Sequence, residues 1–165
     1  MNNELAFPPG FALRLVSVAD EDFLFDLFCS TRTELAHLPL PPAQLEQLMR
    51  QQYDWQQKGY ANKYQDANTW IIENHSMSVG KITLFETKGL THIVDFIIAP
   101  DWRSQGIGST ILEVLKNYVA NNSRVLGLSV DRQNFNAKQL YLRRGFAVSQ
   151  MSDTHEQLFW PPIDQ

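Results

Sequence analysis

Hydrophobic and polar positions in the N-terminal third of the chain follow first a two-residue and then a helical period. Residues 11–18 alternate apolar and polar side chains after a Pro-Pro-Gly break, which predicts a strand. Asp20 then begins a stretch with acidic residues in its first turn and apolar residues three or four apart, which predicts a helix over residues 20–35. After a proline-rich interruption, a stripe of leucine, methionine and aromatic residues predicts a second helix over residues 43–58.

The rest of the chain carries mainly strand patterns, interrupted by two helices. The predicted elements are a polar loop over 59–68, strands over 69–75, 78–89 and 90–100, a helix over 107–120, a strand over 124–131, a helix over 134–146, and a closing strand pair over 146–150 and 155–160. The strand at 90–100 is rich in β-branched residues, which predicts a central position in a sheet. The order β-α-α-β-β-β-α-β-α-β-β has no internal repeat and predicts an α/β (α+β) fold in a single domain over residues 1–165.

Composition narrows the class of protein. The 165 residues are 44% hydrophobic, which suits one domain with its own core. The formal net charge of -4 provides no global positive field to attract nucleic acid or anionic membranes. No apolar run approaches a membrane span, no secretory leader pattern opens the chain, and the single cysteine, Cys29, cannot form an internal disulfide. We therefore expect a cytoplasmic monomer or homodimer without nucleic-acid or membrane partners.

Two glycines, Gly106 and Gly108, stand at the entrance of the helix predicted from residue 107. The first turn of a helix has backbone amides without intrahelical partners, and glycine lets an anion approach them closely. Arg103 could add charge and fix the loop. A lone Gly-x-Gly is equally typical of a flexible turn, so other features must decide. The dinucleotide fingerprint requires a third glycine where Ile111 stands, and the phosphate loop of nucleotide triphosphatases requires a hydroxyl residue where Ile82 follows Gly-Lys.

Three motifs in the C-terminal half identify a family resemblance. The run Arg103-Ser104-Gln105-Gly106-Ile107-Gly108 resembles the Arg/Gln-x-x-Gly-x-Gly/Ala acyl-CoA pyrophosphate loop of the GNAT superfamily of N-acetyltransferases. The apolar strand before it resembles the family's fourth strand. Asn136, Tyr141 and Gly145-Phe146 resemble its late Asn-x-x-x-x-Tyr-x-x-x-Gly-Phe element. The resemblance implies a mixed, mostly antiparallel, strongly twisted central sheet flanked by helices, with splayed strands 4 and 5 forming a coenzyme A cleft.

The resemblance also implies acetyl-CoA as the cosubstrate. Residues 96–98 would bind the pantetheine arm, the amides of residues 105–110 would bind the pyrophosphate, and residues 93–98 would pair in parallel with 125–130. The amide of Ile98 would polarise the thioester oxygen. The implied cofactor-binding residues are Phe96, Ile97, Ile98, Arg103, Ser104, Gln105, Gly106, Ile107, Gly108, Ser109, Thr110, Asn136, Tyr141 and Arg144.

Candidate catalytic residues follow from the same resemblance. Tyr141 matches the family's usual general acid for the departing thiolate. His92 matches the position where histone acetyltransferases carry a glutamate and serotonin N-acetyltransferase a histidine, and an ordinary histidine pKa near 6.5 suits a general base. A solvent-facing histidine is an equal alternative. Asp95 competes, because a carboxylate in an apolar strand is costly unless paired or used. In a regular strand His92 and Asp95 face opposite sides, and only a bulge would bring both to one pocket.

The acceptor is expected to be a small-molecule amine, which attacks acetyl-CoA directly in a ternary complex. The first two helices and the loop after them shape the acceptor pocket in this superfamily. Candidate substrate-binding residues are Arg32, Glu34, Tyr60, Tyr64 and Glu73, while Glu73 and Glu86 are further candidates for the base. The alternatives are acetylation of a protein N-terminus or lysine, and a noncatalytic acyl-CoA-binding regulatory domain. His37, His75 and His155 show no metal-ligand spacing, so no metal is expected.

Overall fold

The computed structural model describes residues 5–161. The strands are β1 (Phe11–Leu15), β2 (Asn68–Asn74), β3 (Met77–Thr87), β4 (Leu90–Ile98), β5 (Val125–Asp131), β6 (Ala147–Met151) and β7 (His155–Trp160). The helices are α1 (Glu21–Cys29), α2 (Thr33–Ala36), α3 (Pro42–Lys63), α4 (Ile107–Asn121) and α5 (Phe135–Arg143). The predicted order is confirmed, except that three helices rather than two separate the first two strands.

All seven strands form one sheet in the order β1-β2-β3-β4-β5-β7-β6. Only the β4–β5 pair is parallel, and every other neighbouring pair is antiparallel. The mixed, mostly antiparallel α/β fold is therefore confirmed. The predicted central position of the β-branched strand is also confirmed, because β4 is the fourth of the seven strands. Both β4 and β5 have an antiparallel neighbour on one side and a parallel one on the other, so the pairing changes between these two strands.

Helices cover both faces of the sheet. On one face α4 and α5 pack over the larger core, in which Ile111 of α4 and Ile82 of β3 are fully buried. On the other face α1 and α3 enclose a second core, in which Phe28 and Tyr53 meet edge to face, with ring centroids 5.4 Å apart, beside Ile71. Apolar side chains on both sides of the inner strands explain their near-continuous hydrophobic runs.

The helix predicted over residues 20–35 is wrong in its continuity, because α1 ends at Cys29. The hydroxyl of Ser30 donates to the Leu27 carbonyl (2.6 Å) and that of Thr31 donates to the Phe28 carbonyl (2.8 Å). The Thr31 and Arg32 amides also bond only three residues back, which tightens the last turn. These local bonds compete with the regular helix ladder. The chain restarts as the short α2.

The first half of the polar loop predicted over residues 59–68 is helical, because α3 continues to Lys63. Tyr60 lies on the last turn of α3, Tyr64 is its C-cap residue, and both are partly buried. The Tyr64 ring packs against Phe85 of β3 at 5.4 Å. Burial of two aromatic rings thus outweighs the low helix propensity of Gly59, which is about 1 kcal/mol worse than alanine.

The parallel register differs from the prediction. The sequence predicts pairing of residues 93–98 with 125–130, whereas β4 pairs with β5 only from Leu90–Val125 to Ile93–Leu128. Beyond Ile93 the two strands separate. The predicted splay is therefore present, but the pairing is shifted by three residues along β4 and ends at Ile93, five residues before the predicted end at Ile98.

A β-bulge in β4 lies at the point of separation. Thr83 of β3 opposes Asp95, whereas the next residue, Leu84, opposes Ile93, so Val94 is extra. His92 opposes Phe85, and directly opposed side chains share a face. Because positions 83 and 85 of β3 share a face, His92 and Asp95 also point to the same side of the sheet. This is the bulge that the sequence required for both residues to reach one pocket.

Asp95 forms a buried ion pair that depends on this geometry. Its carboxylate lies 2.8 Å from the ammonium of Lys81, whose side chain is only 3% exposed. We expect Lys81→Met to lower the free energy of unfolding by about 3 kcal/mol, because it leaves a largely buried carboxylate without its partner. Urea unfolding measures the change. The exposed Lys88→Met serves as the matched control, and equal stability of the two variants would contradict the expectation.

Candidate active site

A cleft of about 180 Å³ occupies the gap between β4 and β5. Its walls come from the diverging strands, from the last turn of α3 and from α5. The lining residues include Tyr60, Val94, Asp95, Phe96, Ser129, Asn134 and Tyr141. The cleft thus opens where the bulge at Val94 ends the pairing of the two strands.

The backbone of β4 presents unpaired amides to this gap. The Ala99 amide donates to the Val79 carbonyl at 2.9 Å, and Ile98 lies opposite Gly80. Residues in an antiparallel ladder bond alternately to one side and the other. The amides of Ile98 and Phe96 are therefore directed away from β3, towards the gap, while Ile97 bonds to β3. An extended polar chain in the gap would meet two donors spaced two residues apart.

The entrance of α4 forms a cradle of free amides. Gly106 is the N-cap residue in the left-handed conformation, with φ of 81°, which favours glycine. The amides of Gly106, Ile107, Gly108 and Ser109 make no backbone hydrogen bond within residues 5–161. The Thr110 amide is different from the rest of the predicted set, since it donates to the Gly106 carbonyl at 2.9 Å. Four amides at a positive helix end make a site for an anion.

The side chains of the loop brace it instead of filling the cradle. Arg103 donates from Nε to the Ile98 carbonyl and from a terminal nitrogen to the Ser30 hydroxyl, each at 2.9 Å. Gln105 donates from its side chain to the Asp101 carbonyl at 2.8 Å. Ser104 takes a positive φ of 59°. These residues set the shape of the loop, and its free amides remain the groups that face a ligand.

Arg144 places a cation beside the cradle. A terminal nitrogen donates to the Ser109 hydroxyl at 2.6 Å, while Nε is buried without a partner. Both residues line an adjacent cavity of about 540 Å³, which is bounded by α4 and by residues 6–8. A guanidinium with a free donor next to four free amides adds charge for an anionic ligand.

Tyr141 lies on the wall of the cleft and is 8% exposed. Burial raises the pKa of its phenol, and the nearby Asp95 carboxylate raises that pKa further. The hydroxyl therefore stays protonated across the physiological range. Asn134, whose side chain accepts from the Ala137 amide at 3.2 Å, caps α5. Asn136, which the family resemblance places among the cofactor-binding residues, lies two residues later, inside α5, and is exposed.

A larger cavity of about 660 Å³ adjoins the cleft on the same face as His92. Its walls are the C-terminal part of α3, the strands β4 and β5, and the β6–β7 hairpin. The two cavities share Tyr60, Val94 and Ser129. The cleft and the larger cavity therefore meet at the bulge.

His92 lies in this larger cavity. The Tyr64 ring stacks on its imidazole at 5.4 Å, and the Tyr64 hydroxyl is 3.3 Å from Nε2. Burial lowers the pKa of His92, and the charge of Lys63 lowers it further. The ring is thus neutral at neutral pH and is held in place by an aromatic neighbour. A neutral imidazole in a cavity is able to accept a proton.

The predicted substrate-binding residues divide into two groups. Tyr60 and Tyr64 line the larger cavity, whereas Arg32, Glu34 and Glu73 line neither it nor the cleft. Arg32 lies over the Phe28 ring at 4.8 Å, and Glu73 accepts from Arg14 at 2.9 Å near the far edge of the sheet.

The remaining acidic candidate, Glu86, is also engaged away from the cavities. Its carboxylate lies 3.4 Å from the Arg124 guanidinium and accepts a hydrogen bond from Tyr118 at 3.0 Å. His92 and Asp95 are therefore the two predicted bases that the fold brings to this region, and of these only Asp95 has an ionic partner.

Several residues at these cavities were missed by the sequence reasoning. Lys81, like Asp95, is a charged residue within an apolar strand, and this pattern could have predicted that the two form an ion pair. Asn134 precedes its helix as a cap should. The hairpin residues Gln150 and His155 had no local signal, because only the sheet order places β6 and β7 beside β5. No group of metal-ligating side chains occurs within residues 5–161, and no helix there is long and apolar enough to cross a membrane.

Comparison with known proteins places the chain in a family. Residues 40–159 match the family model described as "Acetyltransferase (GNAT) domain". A search of curated proteins finds no match.

Solved structures share the fold at low sequence identity. PaiA N-acetyltransferase from Thermoplasma acidophilum, in complex with coenzyme A, is 16% identical with a TM-score of 0.65, covering 90% of this chain and 97% of that one. A mutant of spermidine N-acetyltransferase SpeG from Vibrio cholerae is 17% identical with a TM-score of 0.60, covering 92% and 94%. RimL, a ribosomal L7/L12 alpha-N-protein acetyltransferase in complex with coenzyme A, is 14% identical with a TM-score of 0.62, covering 94% and 96%. The chain belongs to the GNAT acetyltransferase family.

Proposed function

We propose that this protein is an N-acetyltransferase that transfers the acetyl group of acetyl-CoA to the primary amine of a small molecule, by direct attack in a ternary complex. One observation carries the proposal. The narrow cleft beside the amide cradle and the larger cavity around His92 meet at Tyr60, Val94 and Ser129. A donor in the first and an acceptor in the second would bring their reactive groups together at that junction.

The residues of the donor side fit acetyl-CoA. The free amides of residues 106–109 suit its pyrophosphate, and Arg144 supplies a nearby cation. The gap-facing amides of Phe96 and Ile98 suit the amide-containing pantetheine arm. Acetyl-CoA supplies the acetyl group as an activated thioester. The Ile98 amide would donate to the thioester oxygen as charge develops there.

We assign the proton-accepting role to His92. A primary amine is mostly protonated at neutral pH, so a group in the cavity must take up its proton, directly or through water. The lowered pKa of His92 keeps its imidazole in the form able to accept. Asp95, by contrast, is held against the Lys81 ammonium. We assign Asp95 a positioning role, in which its charge helps to keep the neighbouring Tyr60 and Tyr141 phenols protonated.

Tyr141 would hold the proton for the leaving group. Its phenol lines the cleft and makes no hydrogen bond to another of the described residues, so its Oη–H is available to a sulfur atom in the gap. The raised pKa limits how readily the phenol gives its proton away. Its main contribution is therefore a hydrogen bond to the departing thiolate.

The walls of the larger cavity favour a small acceptor over a protein segment. Helix α3 bounds one side, and the β6–β7 hairpin with Gln150, Ser152 and His155 bounds the other. A cavity of about 660 Å³ lies within the range that holds drug-sized ligands, roughly 300–1,000 Å³. An extended peptide would need an open groove instead.

The amide cradle is tested by Gly108→Leu. A Cβ at this position would lie 3.8 Å from Phe96 and 4.0 Å from Ile98, so a leucine would occupy the space between the cradle and β4. We expect the affinity for coenzyme A to fall at least about tenfold, since one lost charge-assisted contact alone is worth roughly 1.5 kcal/mol or more. Calorimetry measures the affinity, and circular dichroism verifies folding. Gly59→Leu, where a side chain meets open space, is the control. Unchanged affinity in a folded Gly108→Leu protein would contradict the cradle.

The base is tested by the pH dependence of kcat at saturating amine. Groups around the His92 ring are Lys63 and Tyr64 from α3, Phe85 from β3 and, across the cavity, His155 from β7. Because the pKa of His92 is lowered, kcat should rise with pH through a midpoint below about 6.5. His92→Gln should abolish this acid limb and lower kcat by roughly 100-fold. His37→Gln, at an exposed site, should leave the limb in place. Persistence of the limb in His92→Gln would exclude His92 as the base.

The role of Tyr141 is tested by Tyr141→Phe. Removal of one oxygen from a buried ring leaves its packing on Phe146 in place. We expect kcat to fall about tenfold or more, with little change in the affinity for coenzyme A, since the hydrogen bond acts on the leaving group. Release of free thiol measures the rate. A lower affinity at unchanged kcat would instead assign Tyr141 to cofactor binding.

A further inference from the structure

We propose that the acceptor is a monoamine that also carries a carboxylate, and that Lys63 binds this carboxylate. The inference rests on the proposed function, which it deepens by naming the substrate class. It follows from the charges around the larger cavity, the partners those charges already have, and the position of Lys63 relative to His92.

The larger cavity has no acidic lining residue within residues 5–161. Its polar side chains are neutral amides, hydroxyls, two phenols and two imidazoles, with Lys63 as the one constantly charged group. The lining residues are Gln56, Gly59, Tyr60, Lys63, Tyr64, His92, Val94, Ser129, Gln150, Met151, Ser152, His155 and Gln157. A polyamine would bring a second ammonium into this cavity without any lining carboxylate to pair with it, and that ammonium would be repelled by the like charge of Lys63.

Three carboxylates directly adjoin lining residues in sequence. Asp153, next to Ser152, is exposed and does not itself line the cavity, and the other two are already neutralised. Asp95 lies 2.8 Å from the Lys81 ammonium, and Glu156 lies 2.6 Å from the Lys138 ammonium. Glu156 is also turned to the opposite face of β7 from its neighbours His155 and Gln157, which line the cavity. Asp95 and Glu156 are therefore not free to attract a cationic tail, and no acid projects into the lining itself.

Lys63, unlike these carboxylates, is a charged group without an ionic partner among the described residues. It forms no ion pair within the described part of the chain, and its ammonium lies 5.2 Å from the Tyr64 ring centre. Tyr60 and Lys63 are three residues apart on α3 and so are neighbours on its surface, and Tyr64 follows as the C-cap; all three line the cavity. Tyr64 stacks on His92. The cation thus lines the same cavity as the residue assigned to receive the amine proton, with the Tyr64 ring in contact with both.

One isolated cation fits a singly charged anion better than a phosphate. The lining residues include no arginine, and phosphate sites usually combine several donors with a guanidinium or a helix N-terminus. A carboxylate is instead satisfied by one ammonium and a few neutral hydrogen-bond donors. Gln56, whose side-chain oxygen is buried without a partner, and the nearby Ser129 are neutral groups available to the rest of the molecule.

The test uses three acceptors with the same four-carbon chain. They are 4-aminobutanoate, 4-aminobutan-1-ol and 1,4-diaminobutane, which end in an anion, a neutral hydroxyl and a second cation. The expected order of kcat/KM is carboxylate, hydroxyl, diamine, with at least about threefold at each step, as an exposed ion pair allows. In Lys63→Glu the order should reverse. Lys58→Glu, the same charge change one turn earlier at an exposed position outside the cavity, should keep the wild-type order.

Binding of the acetylated products separates this inference from the proposed function. We would measure, by calorimetry on the coenzyme A complex, the affinities of 4-acetamidobutanoate and of N-acetyl-1,4-diaminobutane. Tighter binding of the carboxylate product, lost in Lys63→Glu, supports carboxylate binding by Lys63. If no amine is acetylated at the same time, the lack of turnover overturns the proposed function alone. Acetylation with equal or greater preference for the diamine overturns the inference and leaves the proposed function standing. Absence of both turnover and product binding overturns both.

Discussion

The loss of pairing between β4 and β5 after Ile93 is the constraint on which the site depends. A paired β5 would occupy the gap-facing amides of β4 and fill the space of the cleft. Separation of the strands leaves these amides without partners, which is costly in a protein interior unless a ligand or water takes the place of the missing strand. The extra residue Val94 lies at the same point and reverses the side to which the following side chains of β4 point. The gap and the common facing of His92 and Asp95 therefore have one origin.

The same bulge determines which side chains act together. It brings His92 and Asp95 to one face of the sheet, where each side chain has a different local environment. His92 is flanked by a phenol ring and a distant cation, whereas Asp95 is bound to a buried ammonium. Two titratable groups three residues apart on one strand thus have different environments, and different environments are what allow neighbouring groups to take different roles. The Lys81–Asp95 pair also anchors β3 to β4 beneath the cleft.

Much of the fold and of the donor side could be predicted because their signals are local. The glycines of the loop, the period of α4 and the late Asn…Tyr…Gly-Phe element each occupy a short stretch, and Tyr141 lines the cleft between β4 and β5. The bulge at Val94, the break after Cys29 and the continuation of α3 could not be predicted. The break after Cys29 depends on local hydrogen bonds of the Ser30 and Thr31 hydroxyls, which compete with the regular helix bonds. The continuation of α3 depends on a contact distant in sequence, that of the Tyr64 ring with Phe85. The larger cavity was the hardest part to predict from the sequence, because the β6–β7 hairpin lines it only as a result of the strand order in the sheet.

The brace formed by Arg103 has a consequence for how this scaffold can change. Its guanidinium ties the end of β4 to the last turn of α1 through the Ile98 carbonyl and the Ser30 hydroxyl. Helix α3 and the β6–β7 hairpin wall the cavity that we propose for the acceptor. Among the described hydrogen bonds they make no such tie to the loop that we propose for the donor. Substitutions in those walls can therefore accumulate without disturbing the donor loop, whereas a change at Ser30 alters both halves at once. Laboratory evolution of a new acceptor preference would accordingly begin in α3 and the hairpin, with Ser30 held constant.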